Sequence, residues 1–303
     1  MIKIENSGRR HCLKSLGFWG IMLIASMTYS HEVLAQEKNV ISKVALSFES
    51  EGVELAGTLL KPEKAKAAIV LVHGSGQESR MMEFAASFAK KDIMVFTYDK
   101  RGVGSSGGVY AGPEVGTNNI STENLNLLAK DVSAAVAKLS QHSTDLPIGL
   151  VGYSQAGWVI PLAASTNSLV QFMVLFSCPT ITTLEQLRFQ FYTDGRKDFW
   201  ENHTEAEARY HLKHDPDRYQ FAPTDPKVAL DNLSISGLWL FGEKDIQIPV
   251  KVCIEDLNSL KEKGKPFEYS LFPSLGHHTA LDQPTAIATQ WIQQKAAMLG
   301  KVQ

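Results

Sequence analysis

The chain has 303 residues, of which 44% are hydrophobic and 20% charged. That suits one large globular domain, because α/β folds of about 250 residues commonly form a single unit. A net charge of −2 and a pI near 6.5 offer no attraction to nucleic acid or to anionic membrane, so neither is expected as a partner.

The first 35 residues follow a pattern of their own. Arg9, Arg10 and Lys14 precede the apolar stretch Leu16 to Ala25, and Val33 and Ala35 occupy the small-residue positions before a cleavage point. A basic head, a short apolar run and a small-x-small end describe a secretory signal peptide. The run is shorter than the about 20 residues a spanning helix needs. The expectation is a mature chain from Gln36, secreted or periplasmic, without stable membrane association; an uncleaved anchor is the alternative. Losing four basic and two acidic residues would take the net charge from −2 to −4.

Val44 to Phe48 and Val53 to Leu60 alternate apolar and polar residues around Glu51-Gly52, which predicts an antiparallel hairpin. Ala67 to Val72 is continuously apolar, as a strand covered on both faces would be. A helix is predicted over Met81 to Lys90 and a strand over Ile93 to Tyr98. Leu125, Leu128, Val132, Ala135, Val136 and Leu139 recur at helical spacing, with Ser121 as cap. Pro147 to Val151 reads as strand, Gln155 to Ser165 as helix, and Phe172 to Phe176 as strand. Then come a strand at Gly237 to Phe241, a helix at Val250 to Lys261, a strand at Phe267 to Phe272 and a helix at Pro284 to Leu299, closed by Gly300. This alternation predicts an α/β fold over residues 36–303: a mostly parallel sheet, helices on both faces and the hairpin as an antiparallel edge.

Residues 180–232 interrupt the alternation with aromatics and charges and no strand pattern. The interval is too long for a plain connection, and it reads as a helical lid over the sheet's C-terminal edge. Most of its aromatics are expected to pack the insertion's own core. Tyr192 and Trp200, large amphipathic rings in mid-insertion, are the candidates for facing a pocket. An exported protein could join Cys178 and Cys253 in a disulfide, but Cys178 ends a strand pattern and Cys253 lies in a predicted helix, so two separate buried thiols are the expectation. Cys12 has no lipid-attachment context. No Cys/His cluster has metal spacing, and neither metal nor cofactor is expected.

The most informative segment is Gly152-Tyr153-Ser154-Gln155-Ala156-Gly157-Trp158, between an apolar strand and an apolar helix start. A nucleophile elbow needs this context, because its turn holds the serine at strained angles and demands small neighbours. Ser154 would stand above the sheet at a helix N-terminus that favours negative charge. Ala156 replaces the usual second glycine. Ligands of open parallel sheets bind at the strands' C-terminal ends. Those ends carry His73-Gly74-Ser75-Gly76, Asp99-Lys100-Arg101-Gly102-Val103-Gly104, Ser154, Glu243-Lys244-Asp245 and Gly276-His277-His278. A phosphate cradle at Gly102-x-Gly104 is disfavoured, since no helix pattern begins there.

In their order along the chain, the segments GTLLKP, VLVHGSG, YDKRGVGSS, GYSQAG, FGEKD and LGHH resemble the α/β-hydrolase superfamily. The resemblance covers essentially all of residues 44–300. It is strongest to the bacterial branch that joins dienelactone-hydrolase-like esterases with serine-aminopeptidase-like and prolyl-oligopeptidase-like hydrolases. It implies Ser154 as nucleophile, His277, directly after glycine, as base, and Asp245 as the acid that orients it. Glu243 is the minor competitor, solvent-facing, and His278 a packing neighbour. The oxyanion donors would be the backbone N–H of Gln155 and, in the His73–Gly76 loop, that of Ser75. His73 reads as structural, and Asp99 and Arg101 as a turn-stabilising pair whose glycines shape the pocket wall. The implied activity is hydrolysis of a small carboxylic ester through an acyl-enzyme. The alternatives are amide cleavage, as in an aminopeptidase, and a relative that only binds ligands. Dehalogenase and epoxide-hydrolase chemistry would need aspartate in place of Ser154.

Overall fold

The computed structural model describes residues 40–112 and 119–300; the expected signal segment lies outside them. Strands β1 (Ile41–Ser50) and β2 (Val53–Pro62) form the opening hairpin. Its two-residue loop places Glu51 and Gly52 at φ +51° and +71°, the twist that matches flanking strands. The other strands are β3 (Ala67–Val72), β4 (Ile93–Tyr98), β5 (Ile148–Tyr153), β6 (Val170–Phe176), β7 (Ser236–Gly242) and β8 (Phe267–Phe272). They make one eight-stranded sheet in the order β1-β2-β4-β3-β5-β6-β7-β8. Only the β1–β2 and β2–β4 pairs are antiparallel. β5 runs two residues beyond the predicted end, because Gly152 and Tyr153 still pair with Leu175 and Phe176 of β6.

Helices α1 (Met82–Ala89) and α9 (Asp282–Leu299) cover one face, and α2 (Thr122–Ser140), α3 (Ala156–Thr166) and α8 (Val250–Glu262) the other. The period-2 alternation of a strand divides β3 between two cores: Ala68, Val70 and Val72 face α2 and α3, and Ala67, Ile69 and Leu71 face α1 and α9. The Ser121 hydroxyl caps α2 by accepting from the Asn124 N–H.

Between β6 and β7 the chain forms α4 (Thr183–Thr193), α5 (Phe199–Asn202), α6 (Glu205–His214) and α7 (Pro226–Leu230). Thr182 with Glu185 and Thr204 with Glu207 form capping boxes that start α4 and α6. Phe189 and Phe199 are buried and continuous with the core on that face. Cys178 and Cys253 are both free and buried, and burial pushes the Cys253 thiol up to about 12.

Candidate active site

Ser154 sits where β5 turns into α3, at φ +52°. A non-glycine residue in that region is strained by about 1–2 kcal/mol. The strain holds because the Ser154 N–H donates to the Phe176 carbonyl at 3.0 Å and its own carbonyl accepts from Gly157 at 2.9 Å. A Cβ on Gly152 would lie 2.6 Å from the Ala156 Cβ and 2.7 Å from the Val72 carbonyl oxygen. The missing side chain at 152 is therefore what lets alanine stand at 156.

His277, on the loop after β8, places Nε2 3.0 Å from Ser154 Oγ and Nδ1 2.8 Å from Asp245 Oδ2. A carboxylate only accepts, so Nδ1 carries the proton and Nε2 is free to accept from the serine hydroxyl. Asp245 is fully buried. Its Oδ1 accepts from the N–H groups of Gln247 at 2.7 Å and Ile248 at 3.1 Å, so the carboxylate also caps its own loop. Beneath the histidine loop, Thr279 Oγ1 lies 2.8 Å from Ser177 Oγ, and Ser177 itself has φ +46°. Glu243 is exposed. His278 is exposed as well and lines a groove of about 970 Å³ between α1 and α9; it is not packed as expected, because the loop turns it outward.

Ser75 and Gln155 line a cavity of about 50 Å³ with Ser154, Ile120, Trp158, Gln186, Leu187, Gln190 and Gln247. Among the described residues, neither the Ser75 nor the Gln155 backbone N–H has an acceptor. Two open N–H groups beside a serine hydroxyl can receive a developing oxyanion. The insertion contributes Gln186, Leu187 and Gln190 of α4 to this cavity, whereas Tyr192 and Trp200 do not line it. The Tyr192 ring stacks on His211 at 3.7 Å. Trp200 Nε1 donates to the Asp245 carbonyl at 2.8 Å, which turns the ring toward the acid loop.

The segment after β4 differs from expectation. Asp99 does not pair with Arg101. It takes Arg80 Nη2 at 2.7 Å and the Ser105 N–H at 2.9 Å. Burial alone would raise its carboxyl, but hydrogen bonds from Arg80 and Ser105 outweigh burial and hold it below the ordinary range. Arg101 turns the other way, into a buried pair with Asp131. The chain turns at Arg101-Gly102, with Gly102 at φ +72°, so the rule that positions two apart share a face of a strand does not hold there. Gly102 and Gly104 pack against Tyr110 and the Asp99 carboxylate, not the pocket wall. His73 is structural in its contacts: Nε2 donates to the Tyr98 carbonyl at 2.7 Å. Burial, and then the Lys100 charge, push it down to about 3. Sequence reasoning passed over Lys100, Asn119, Ser177 and Thr279. A lysine inside a strand-end run of otherwise small or paired residues was the one readable signal among them.

A family model for serine aminopeptidases, S33, matches residues 63–241, more than half of the chain. The chain belongs to the serine aminopeptidase S33 family. It is a serine hydrolase of the α/β-hydrolase fold, and the match includes the Ser75 loop and Ser154. No curated protein matches the chain by sequence. Similar solved structures include an esterase of Pyrococcus furiosus, 16% identical, with 86% of this chain and 93% of that one covered at a TM-score of 0.59. An acetyl xylan esterase from Paenibacillus sp. R4 is 18% identical, with 86% of each chain covered at 0.59. The acylaminoacyl peptidase of Pyrococcus horikoshii is 15% identical, with 86% of this chain but 41% of that one covered at 0.58. At these identities the likeness speaks for the fold.

Proposed function

We propose that this serine hydrolase cleaves carboxylic esters with a short acyl group, through an acyl-enzyme on Ser154. The observation that carries the reading is the continuous chain Ser154 Oγ, His277 Nε2 and Nδ1, Asp245 Oδ2, at 3.0 and 2.8 Å. Ser154 Oγ bonds to the ester carbonyl carbon while its proton passes to His277 Nε2. The carbonyl oxygen becomes an oxyanion between the Ser75 and Gln155 N–H groups. Collapse breaks the ester C–O bond, and His277 returns the proton to the leaving alcohol. Water then repeats the sequence on the acyl-enzyme and releases the acid. Asp245 orients the imidazole and balances its charge while it is protonated.

The short acyl group is proposed from the cavity of about 50 Å³ beside Ser154, small against the roughly 300–1,000 Å³ of common ligand pockets. The cavity's lining side chains are all neutral among the described residues, so none of these offers a counter-charge to the protonated α-amine of an aminopeptidase substrate. Export, with removal of residues 1–35, belongs to the same proposal and rests on the sequence pattern alone. Among the described residues no helix is long and apolar enough to cross a membrane.

A fluorophosphonate probe tests the nucleophile, since it labels only an activated serine; Ser154→Ala should abolish labelling and turnover. p-Nitrophenyl esters of rising acyl length, set against aminoacyl anilides, test the substrate. Preference for anilides, or for acyl chains beyond about six carbons, would overturn the short-ester reading. N-terminal sequencing of the released protein should begin at Gln36, and an intact Met1 in the membrane fraction would mean an anchor.

A further inference from the structure

Behind the Ser154 cavity lies a buried cation that the triad chemistry does not itself require. Lys100 is 3% exposed. Its Nζ donates to the Gly74 carbonyl at 2.6 Å, the Gly76 carbonyl at 3.3 Å and Gln155 Oε1 at 2.9 Å. The first acceptor matters most. The Gly74 carbonyl and the Ser75 N–H are two ends of one peptide group, and in a trans peptide they point in opposite directions. Drawing the carbonyl toward Lys100 therefore directs the Ser75 N–H the other way, toward the cavity that Ser75 and Ser154 share. A charged donor on the carbonyl also polarises the amide, which makes its N–H the stronger donor.

The same network reaches the second oxyanion donor. Gln155 Nε2 donates to the Asn119 carbonyl at 2.9 Å and to Asn119 Oδ1. Asn119 Nδ2 and the Tyr110 hydroxyl both donate to the Ser75 carbonyl, at 2.6 and 2.7 Å. Each carbonyl from Gly74 to Gly76 is thus held from behind, and the Gln155 side chain is fixed at both ends of its amide.

We propose that Lys100 is a positioning residue of the oxyanion hole: its ammonium aims and polarises the Gly74–Ser75 peptide and anchors Gln155, so its charge supports the oxyanion through an intervening amide. The inference rests on the serine-hydrolase mechanism above. A lysine that merely filled space would affect ground state and transition state alike, whereas one acting on the oxyanion affects the transition state selectively.

The test compares wild type with Lys100→Met and Lys100→Gln, using p-nitrophenyl acetate and a short trifluoromethyl ketone, which Ser154 converts into a hemiketal alkoxide. In Lys100→Met, kcat should fall by roughly one to two orders of magnitude, less than the ~10²–10³ of losing a donor outright. KM should stay within about threefold, and ketone affinity should drop in step with kcat. Lys100→Gln, which keeps a donor without the charge, should fall between. A kcat within about threefold of wild type in folded Lys100→Met (or in Lys100→Gln where only that variant folds), or a lost kcat with ketone affinity unchanged, overturns the proposal. Should both neutral variants fail to fold, Lys100→Arg decides by the same criterion: kcat and ketone affinity must fall together at steady KM as the charge is displaced, and any other pattern refutes the role. Fluorophosphonate labelling separates the two possible failures. An unlabelled wild type sinks the underlying mechanism, while a labelled wild type with insensitive Lys100 variants sinks this inference alone.

Discussion

Asp245→Asn separates the two duties of the acid, and the structure fixes which way the new amide would face. Oδ1 accepts from two backbone N–H groups, at 2.7 and 3.1 Å, while Oδ2 accepts from His277 Nδ1 at 2.8 Å. An asparagine has one accepting oxygen. Turning its NH₂ toward Gln247 and Ile248 would set donor against donor at two positions, so the oxygen keeps the backbone and the NH₂ meets His277. Nδ1 must then accept, which puts the imidazole proton on Nε2, facing Ser154 Oγ. A histidine in that tautomer cannot take the serine proton, and a triad so disabled loses about 10⁴-fold in kcat. The loop stays capped, so the melting temperature should change little. Asp245→Ala gives the contrasting result, because it leaves two buried N–H groups unsatisfied at roughly 1–3 kcal/mol each. Steady-state hydrolysis of p-nitrophenyl acetate, with thermal unfolding of the same samples, reads both duties. Activity of Asp245→Asn within about tenfold of wild type would refute the orientation argument, as would an Asn variant no more stable than the Ala variant.

His73 stays neutral when folded down to about pH 3, whereas in the unfolded chain it takes a proton below about 6.5. Acid therefore favours unfolding: this contribution is intact above about pH 6.5 and is lost at about 1.4 kcal/mol per pH unit between there and pH 3. Urea midpoints against pH should show a shallower acid limb in His73→Gln, which can still donate to Tyr98, and identical limbs would count against the assignment. Leu187→Ala should widen the cavity and move the optimum toward longer acyl chains. Phe199→Ala should leave that profile unchanged and cost about 3–5 kcal/mol of stability, so a shifted profile in Phe199→Ala would mislocate the pocket. Cys178 and Cys253 should react with a thiol reagent only on unfolding, because burial raises both thiols; fast labelling of the native protein would contradict their burial.

The inner strands were legible because they are buried on both faces and read as unbroken apolar runs, whereas β8 at the sheet's edge is buried only at its two ends; β3, β4 and β8 match their predicted limits residue for residue. The positions of Ser154, Asp245 and His277 followed from strand ends, where local sequence and three-dimensional place coincide. What escaped is non-local. Lys100 reaches Gln155 across 55 positions of sequence and Arg101 reaches Asp131 across 30. No periodicity encodes partners at such separations, and Arg101, two positions away, was the wrong choice for Asp99, which pairs with Arg80. The insertion's helices lay between these cases. Their capping boxes at Thr182 and Thr204 are local signals, but which aromatics face the cavity depends on how α4 and α5 dock, and ring size alone misplaced Tyr192 and Trp200.

The docking of that insertion bears directly on how substrate size is set. Trp200 Nε1 holds the Asp245 carbonyl at 2.8 Å, and Thr193 Oγ1 holds the Ile246 carbonyl at 2.7 Å. Trp158 Nε1, from α3, donates to the Ile181 carbonyl at 2.9 Å where the insertion begins. The helix that supplies Gln186, Leu187 and Gln190 to the cavity is therefore tied to the acid loop at one end and to the nucleophile's helix at the other. Swinging α4 away would give up these bonds, each about 0.5–1.5 kcal/mol net, and expose Phe189 and Phe199. It would also release the loop that aims Asp245 at His277. A cover anchored in this way acts as a fixed wall, and any change that loosens it to admit a larger acyl group should disturb the acid as well. On the proposed ester-hydrolase reading, acyl selectivity and the Ser154–His277–Asp245 geometry would be mechanically linked, through two backbone carbonyls at positions 245 and 246.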